Sequence, residues 1–202
     1  MAEVPNGTGL REHVLLFSRF LRSPRTVGAV TPSSRAVGEA LVEHIDFSRP
    51  ARLVELGPGT GALTAPIVEK LGPHIDFLAV DIDPAFCREI RKRWPAVECV
   101  CASAEQLHSI AAERGLFPVD HILSGLPFAS LPMQITRQIL ESITESLRAG
   151  GTFSTFQYVH AYRLPSAVAF RRQMSVKMGS TPHARLVLRN FPPAIVLTWN
   201  KS

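Results

Sequence analysis

The sequence predicts an α/β domain: a mostly parallel sheet with helices on both faces, closed at its C-terminal end by an antiparallel hairpin. Strand-like apolar runs alternate with helix-like segments through the middle of the chain, as βα units do. A glycine-rich turn follows the first of these runs. Two further apolar runs close the chain with only Asn190–Pro193 between them, a link too short for a crossover, so they pair antiparallel.

The expected strands are short runs of apolar or β-branched residues: Arg52–Leu56, Asp76–Asp81, Val97–Cys101, Val119–Ser124, Thr152–Tyr158, Arg185–Arg189 and Ala194–Trp199. Helices are expected over Ala62–Leu71, Pro84–Arg93, Ala104–Arg114, Pro132–Leu147 and Ser166–Lys177. Pro84 and Pro132 sit where a first helical turn tolerates proline. Gly72 and Gly150 sit where helices commonly stop. At 202 residues the chain suffices for one substantial core, so a single domain over 1–202 is expected, with an N-terminal region 1–35 and a core 36–202.

The composition is that of a globular chain, 46% hydrophobic and 19% charged. No apolar run approaches the roughly 20 residues of a membrane span, and no secretory signal pattern is visible at the N-terminus. Cys87, Cys99 and Cys101 make neither an even disulfide framework nor zinc-site spacing, so buried thiols, a reducing cytoplasm and no metal are expected. The net charge of +5 is unevenly spread. Residues 1–35 carry five Arg and two Glu, residues 146–202 carry eight Lys/Arg and no Asp or Glu, and the stretch between them sums to −6. Basic ends around an acidic middle suit an anionic partner, either RNA or an anionic membrane surface.

Residues 10–22 read as an amphipathic helix. Leu10, Val14, Phe17 and Leu21 share one face, widened by Leu16 and Phe20, with Arg11, Glu12, Arg19 and Arg22 opposite. Such a helix either docks on its own domain or lies in a membrane interface.

The densest signal is Leu53-Val54-Glu55-Leu56-Gly57-Pro58-Gly59-Thr60-Gly61, a strand running into a turn that opens a helix. Glycines there let the chain turn tightly and a ligand approach closely. Asp81, followed by Ile82, ends the next strand, where a carboxylate can accept hydrogen bonds from ribose hydroxyls. Dinucleotide-binding and methyl-donor-binding folds share this geometry. Glu55 separates them: a carboxylate before the turn repels a pyrophosphate but suits S-adenosylmethionine, which carries an ammonium and a sulfonium. The run resembles motif I of Rossmann-like class I methyltransferases, with Asp81 matching the ribose-binding acid. That resemblance implies a cofactor site of Glu55, Gly57, Pro58, Gly59, Gly61, Asp81 and Ile82, joined by Ser103, Ala104, Ser124 and Thr31. Where the family often has an acidic residue after the third strand, this chain has Ser103-Ala104. Ser103 can contact adenine or simply cap the next helix.

Ligands in open α/β sheets sit beyond the carboxyl ends of strands, so Ser124-Gly125-Leu126-Pro127-Phe128 faces the expected methyl group. It resembles the Asn-Leu-Pro-Tyr motif of rRNA adenine dimethyltransferases, with Gly125 at the Asn position. The side chain that reads a nucleobase amine is gone. Backbone carbonyls over Gly125, Leu126 and Pro127 and the face of Phe128 remain to orient an aliphatic amine, the ring by cation–π attraction.

The order Phe20-Leu21-Arg22-Ser23-Pro24 and Thr26-Val27-Gly28-Ala29-Val30-Thr31-Pro32-Ser33-Ser34 is similar to the N-terminal signature of bacterial phospholipid N-methyltransferases. So are Gly125–Phe128 with Ser130-Leu131-Pro132, Gln157-Tyr158, and Asn190-Phe191-Pro192-Pro193-Ala194. This resemblance spans nearly the whole chain. It implies N-methylation of phosphatidylethanolamine, its methylated forms or ornithine lipid at the inner face of the cell membrane. Residues 10–25 would then be a peripheral anchor and lid.

A base near the acceptor could take the amine proton. Tyr158 is the first candidate and His160 the second. Arg25, His183 and Arg185 are candidates for a lipid phosphate. The rival expectation is an RNA adenine N6-methyltransferase whose basic ends bind phosphates.

Overall fold

A computed structural model describes residues 34–202. The expected helix over 10–22, Arg25 and Thr31 lie outside the described residues.

Seven strands form one sheet in the order β3-β2-β1-β4-β5-β7-β6. They are β1 (Ala51–Leu56), β2 (Ile75–Asp81), β3 (Glu98–Cys101), β4 (Val119–Ser124), β5 (Leu147–Tyr158), β6 (His183–Val187) and β7 (Ala194–Asn200). β1 to β5 run parallel, while β7 is antiparallel to both β5 and β6, as the short closing turn requires. The chain winds outward from β1 to β3, then jumps back to place β4 on the other side of β1. The ends of β1 and β4 therefore flank a crevice at the carboxyl edge.

The helices are α1 (Arg35–Val42), α2 (Thr64–Val68), α3 (Pro84–Arg93), α4 (Leu107–Glu113), α5 (Met133–Ser146) and α6 (Pro165–Met178). Strand periodicity assigns them to faces. Val54 and Leu56 of β1, Leu78 and Val80 of β2 and Phe153 of β5 pack against α4, α5 and α6. Leu53 and Leu123 face α1 and α2, and Ala79 and Cys99 face α3 through Cys87 and Ile90. Below the acceptor motif the first face is aromatic: Phe128 stacks on Phe170 at 4.3 Å, and Phe153 stacks on Trp199 at 5.8 Å. The Trp199 indole N–H donates to Ser175 Oγ at 2.9 Å, so this buried ring keeps its polar atom satisfied.

Four features differ from expectation. Helix α1 is absent from the sequence reading, because its glycine-containing octet is short and hides a strong apolar face. Helix α2 is half its expected length. Pro66 lacks an N–H, and the chain leaves through short-range bonds from Lys70 and Leu71 to Ile67 and Val68. Gly150 does not end a helix: α5 stops at Ser146, and Gly150 lies inside β5 at φ 71°, where the pairing with β4 slips between Val119 and His121. Cys87 and Cys99 are buried as expected, but Cys101 is exposed.

Candidate cofactor and acceptor site

The glycine turn is held by backbone. Gly57 donates its N–H to Val80 O at 2.9 Å, and Gly61 donates to Pro58 O at 2.9 Å. Gly57 and Gly61 also have no room for side chains, since a Cβ would lie 2.8 Å from Leu126 and 2.5 Å from Trp94. Gly59 is different: nothing stands within 4 Å of where its Cβ would be, so the space in front of it is open.

Asp81 closes the lip of that space. Its carboxylate accepts from Gly59 N–H at 3.0 Å and from Asp83 N–H at 2.8 Å, and it is almost wholly buried. It therefore ties the turn after β1 to the end of β2. Asp83 caps α3 by accepting from Ala85 N–H at 2.8 Å. On the third strand's side, Ser103 accepts from Glu105 N–H and donates to its carboxylate at 2.7 Å, so it does cap the turn that follows. The Ala104 N–H donates to no acceptor among the described residues.

A cavity joins these parts. Gly57, Gly59, Asp81, Ile82, Ser103 and Ala104 line it on one side, and Gly125, Leu126 and Pro127 on the other. Its remaining wall is apolar: Val80, Phe86, Leu131, Ile135 and Ile139. Sequence reasoning missed this wall, because Ile135 and Ile139 at helical spacing look the same as core residues. The residues after Ser130 carried a weak signal, being the start of the helix beyond the acceptor motif.

Glu55 lies beneath the turn, fully buried. It accepts from Thr64 Oγ1 at 2.8 Å, while its other oxygen, Oε1, has no partner among the described residues. Burial pushes its carboxyl up to about 8, with the Thr64 hydrogen bond pulling against that and Asp81 adding to it. An orphaned buried carboxyl oxygen is costly unless a donor or cation reaches it. These residues fit S-adenosylmethionine. Asp81 would hold the ribose, the Ala104 N–H and apolar wall the adenine, and Glu55 and the open turn at Gly59 the amino-acid end. Glu55, Pro58, Gly61 and Ser124 lie outside the cavity lining: Glu55 sits beneath it with Oε1 unpartnered among the described residues, and the other three support the turns. Ser124 is fully buried, and its Oγ accepts from Leu126 N–H at 3.2 Å.

The acceptor motif shows why Gly125 is glycine. Its N–H donates to Leu56 O at 2.8 Å, and a Cβ there would lie 2.7 Å from Gly57 O. Any side chain would push on the cofactor turn. The Leu126 and Pro127 carbonyls are engaged within the turn, accepting from Phe128, Ser130 and Leu131. The Gly125 carbonyl accepts no hydrogen bond among the described residues.

Several expected site residues lie elsewhere. Phe128 is buried, stacked on Phe170 and edge-on to Phe153, so the expectation of an open ring face is corrected to a packing role. Tyr158 ends β5 at the carboxyl edge, on the α1 face and outside the cavity lining, with His160 stacked on it at 5.6 Å. His183 pairs with Thr198 at the start of β6, away from the carboxyl edge, because β6 runs parallel to β5. Arg185 forms an ion pair with Glu43 just after α1. The expectation that His183 and Arg185 contact a lipid phosphate is therefore corrected. Among the described residues no group of three or more His, Cys, Asp or Glu is placed to hold a metal ion.

Residues 54–153 match a family model described as a methyltransferase domain. Over that segment, just under half of the chain, the protein is similar to methyltransferase domains. The matched segment runs from β1 to β5 and holds both the glycine turn and the acceptor motif. An ornithine lipid N-methyltransferase of Singulisphaera acidiphila is 27% identical over 148 residues, which are 72% of this chain and 77% of that protein. A probable ribosomal RNA small subunit methyltransferase A of Aeropyrum pernix is 25% identical over 185 residues, 91% of this chain. The matched region is 55% of that protein, so this chain spans about half the length of that relative. Among solved structures, the 1,6-didemethyltoxoflavin N1-methyltransferase of Burkholderia thailandensis superposes with a TM-score of 0.68 at 21% identity, covering 100% of this chain and 93% of that one. This likeness shows the fold of the methyltransferase domain.

Proposed function

We propose that this methyltransferase domain transfers methyl groups to the amine headgroup of a membrane lipid, phosphatidylethanolamine and its methylated forms or ornithine lipid. The observation that carries the reading is the Gly57–Gly125 contact. With a Cβ at position 125 excluded by Gly57 O at 2.7 Å, the acceptor motif offers a backbone carbonyl and no base-reading side chain. A nucleobase amine would lose its edge-specific partner there; an aliphatic amine needs only an acceptor and a shaped opening. The likeness to the ornithine lipid enzyme over most of both chains supports the same reading.

Bound S-adenosylmethionine supplies an electrophilic methyl on its sulfonium. The chain's residues supply position. The glycine turn and Asp81 fix the donor, while the Gly125 carbonyl accepts from the incoming amine and aligns its lone pair. Alignment of this kind supplies a large part of the rate in a bimolecular transfer. Tyr158, at the carboxyl edge but outside the cavity lining, is the first candidate to relay the amine proton, and His160, stacked on it, the second. Tyr158→Phe is expected to lower kcat by roughly tenfold to a hundredfold with cofactor affinity unchanged. An unchanged kcat would remove Tyr158 from the mechanism.

The test of the reading is methyl incorporation into purified phosphatidylethanolamine and ornithine lipid in mixed micelles, resolved by thin-layer chromatography. Labelled mono- and dimethyl products are expected. No labelled lipid, with tight S-adenosylhomocysteine binding intact, would refute it.

A further inference from the structure

Past the acceptor motif, the carboxyl edge of the sheet continues as two adjoining loops. Tyr158 at the end of β5 pairs with Ala194 at the start of β7, which pairs with Val187 at the end of β6. Val159 donates its N–H to Pro193 O at 2.9 Å, so the segment 159–164 and the hairpin connection 188–193 stand side by side. They carry Val159, Leu164, Leu188 and Phe191, exposed by 44%, 47%, 72% and 77%. Arg163 and Arg189 are interleaved with these apolar side chains and exposed. Residues 146–202 contain eight Lys/Arg and no Asp or Glu, and the carboxylates that share a groove with Leu188 and Arg189 are engaged elsewhere, Glu39 and Glu69 with Arg35 and Glu43 with Arg185. Ser34, where the described chain begins, donates its N–H to Asn190 Oδ1 at 2.8 Å, so the chain enters at the same edge.

Resting on the lipid-amine reading above, we propose that this edge is a membrane-contact face that docks on an anionic lipid surface. Leu188 and Phe191 enter the headgroup–acyl boundary, while Arg163 and Arg189 meet lipid phosphates. Apolar tips flanked by cations bind such interfaces by burial and charge together. An RNA partner fits less well: single strands are gripped by several stacking rings along a basic groove, whereas this face has one exposed ring, Phe191, and its other apolar side chains, Val159, Leu164 and Leu188, cannot stack on bases. The face abuts the end of β5, so a docked enzyme holds its acceptor opening toward the headgroups without extracting a lipid.

The test uses the full chain and sedimentation with vesicles of phosphatidylcholine containing phosphatidylglycerol. Leu188→Ser combined with Phe191→Ser is expected to lower partitioning about tenfold or more, with melting temperature and S-adenosylhomocysteine affinity unchanged. Phe191→Trp serves as a second reporter that does not depend on the double variant folding. Its added emission is expected to shift to the blue on vesicles. Undiminished partitioning of the double variant, or no emission shift, overturns the proposal. So does a shift produced by an RNA oligonucleotide instead of vesicles, or one already present without vesicles and lost on deleting residues 1–33. Methylation of a short-chain, water-soluble lipid amine by the unmodified protein reports separately on the lipid-amine reading, since it needs no membrane docking.

Discussion

Asp81 does two jobs at one place. It ties the glycine turn to the end of β2 and is the acid that would receive the ribose. Asp81→Ala is expected to weaken S-adenosylhomocysteine binding by about tenfold to a hundredfold, the worth of a charge-assisted hydrogen bond, by calorimetry. Glu55 gives a pH signature. Its folded carboxyl titrates near 8 because it is buried, well above its ordinary value. A cationic ligand end favours the carboxylate, so cofactor affinity is expected to rise as pH climbs towards about 8 and then level off. Glu55→Gln should flatten that slope. For the protein without cofactor the sign is opposite: a raised carboxyl favours the folded state at low pH, and that contribution fades as pH rises from 4.5 to about 8. Gly125→Asn, which restores the base-reading side chain on paper, is expected to lower stability by about 1–3 kcal/mol through overpacking against Gly57 O, read as a fall in melting temperature. At this scale the sequence was legible where backbone geometry dictates the residue type. The glycine turn could be read directly, since Gly57, Gly59 and Gly61 all hold positive φ, and so could the place of Asp81 at the end of β2. The burial of Phe128 could not, because a Phe after Pro looks the same whether its ring faces a ligand or Phe170.

Among the elements, β1 to β4 and α3 follow the sequence closely because their apolar runs are bounded by strong turn residues. Helix α1 and the early start of β5 were not legible, since both depend on tertiary partners. Thr152, at the bend of β5, is shared by two histidines: His44, just past α1, at 2.9 Å and His121 of β4 at 2.7 Å. Burial holds both histidines below their ordinary range, His44 at about 4, and mutual repulsion adds to the shift there. A lowered folded value means the unfolded chain binds more protons on acidification. Stability from this pair is therefore present above about pH 6.5 and lost progressively towards pH 4. The fall in melting temperature between pH 7 and pH 5 is expected to shrink in His44→Gln. An unchanged fall would mean that the docking of α1 on the sheet does not depend on these rings.

For the whole molecule, the strand order brings the cofactor turn, the acceptor motif, Tyr158 and the hairpin tip to one edge of one sheet. Donor, acceptor and docking face then lie in sequence along that edge. The basic C-terminal segment noted in the sequence acquires a location this way, while its individual roles changed: Arg185 is engaged with Glu43, and Arg163 and Arg189 stand at the rim. The central claim is that the acceptor is a lipid amine. The most direct test incubates the purified protein with labelled S-adenosylmethionine and, side by side, a total bacterial lipid extract and total RNA. Label is expected in methylated lipid amines and none above background in RNA. Label confined to RNA would contradict the claim.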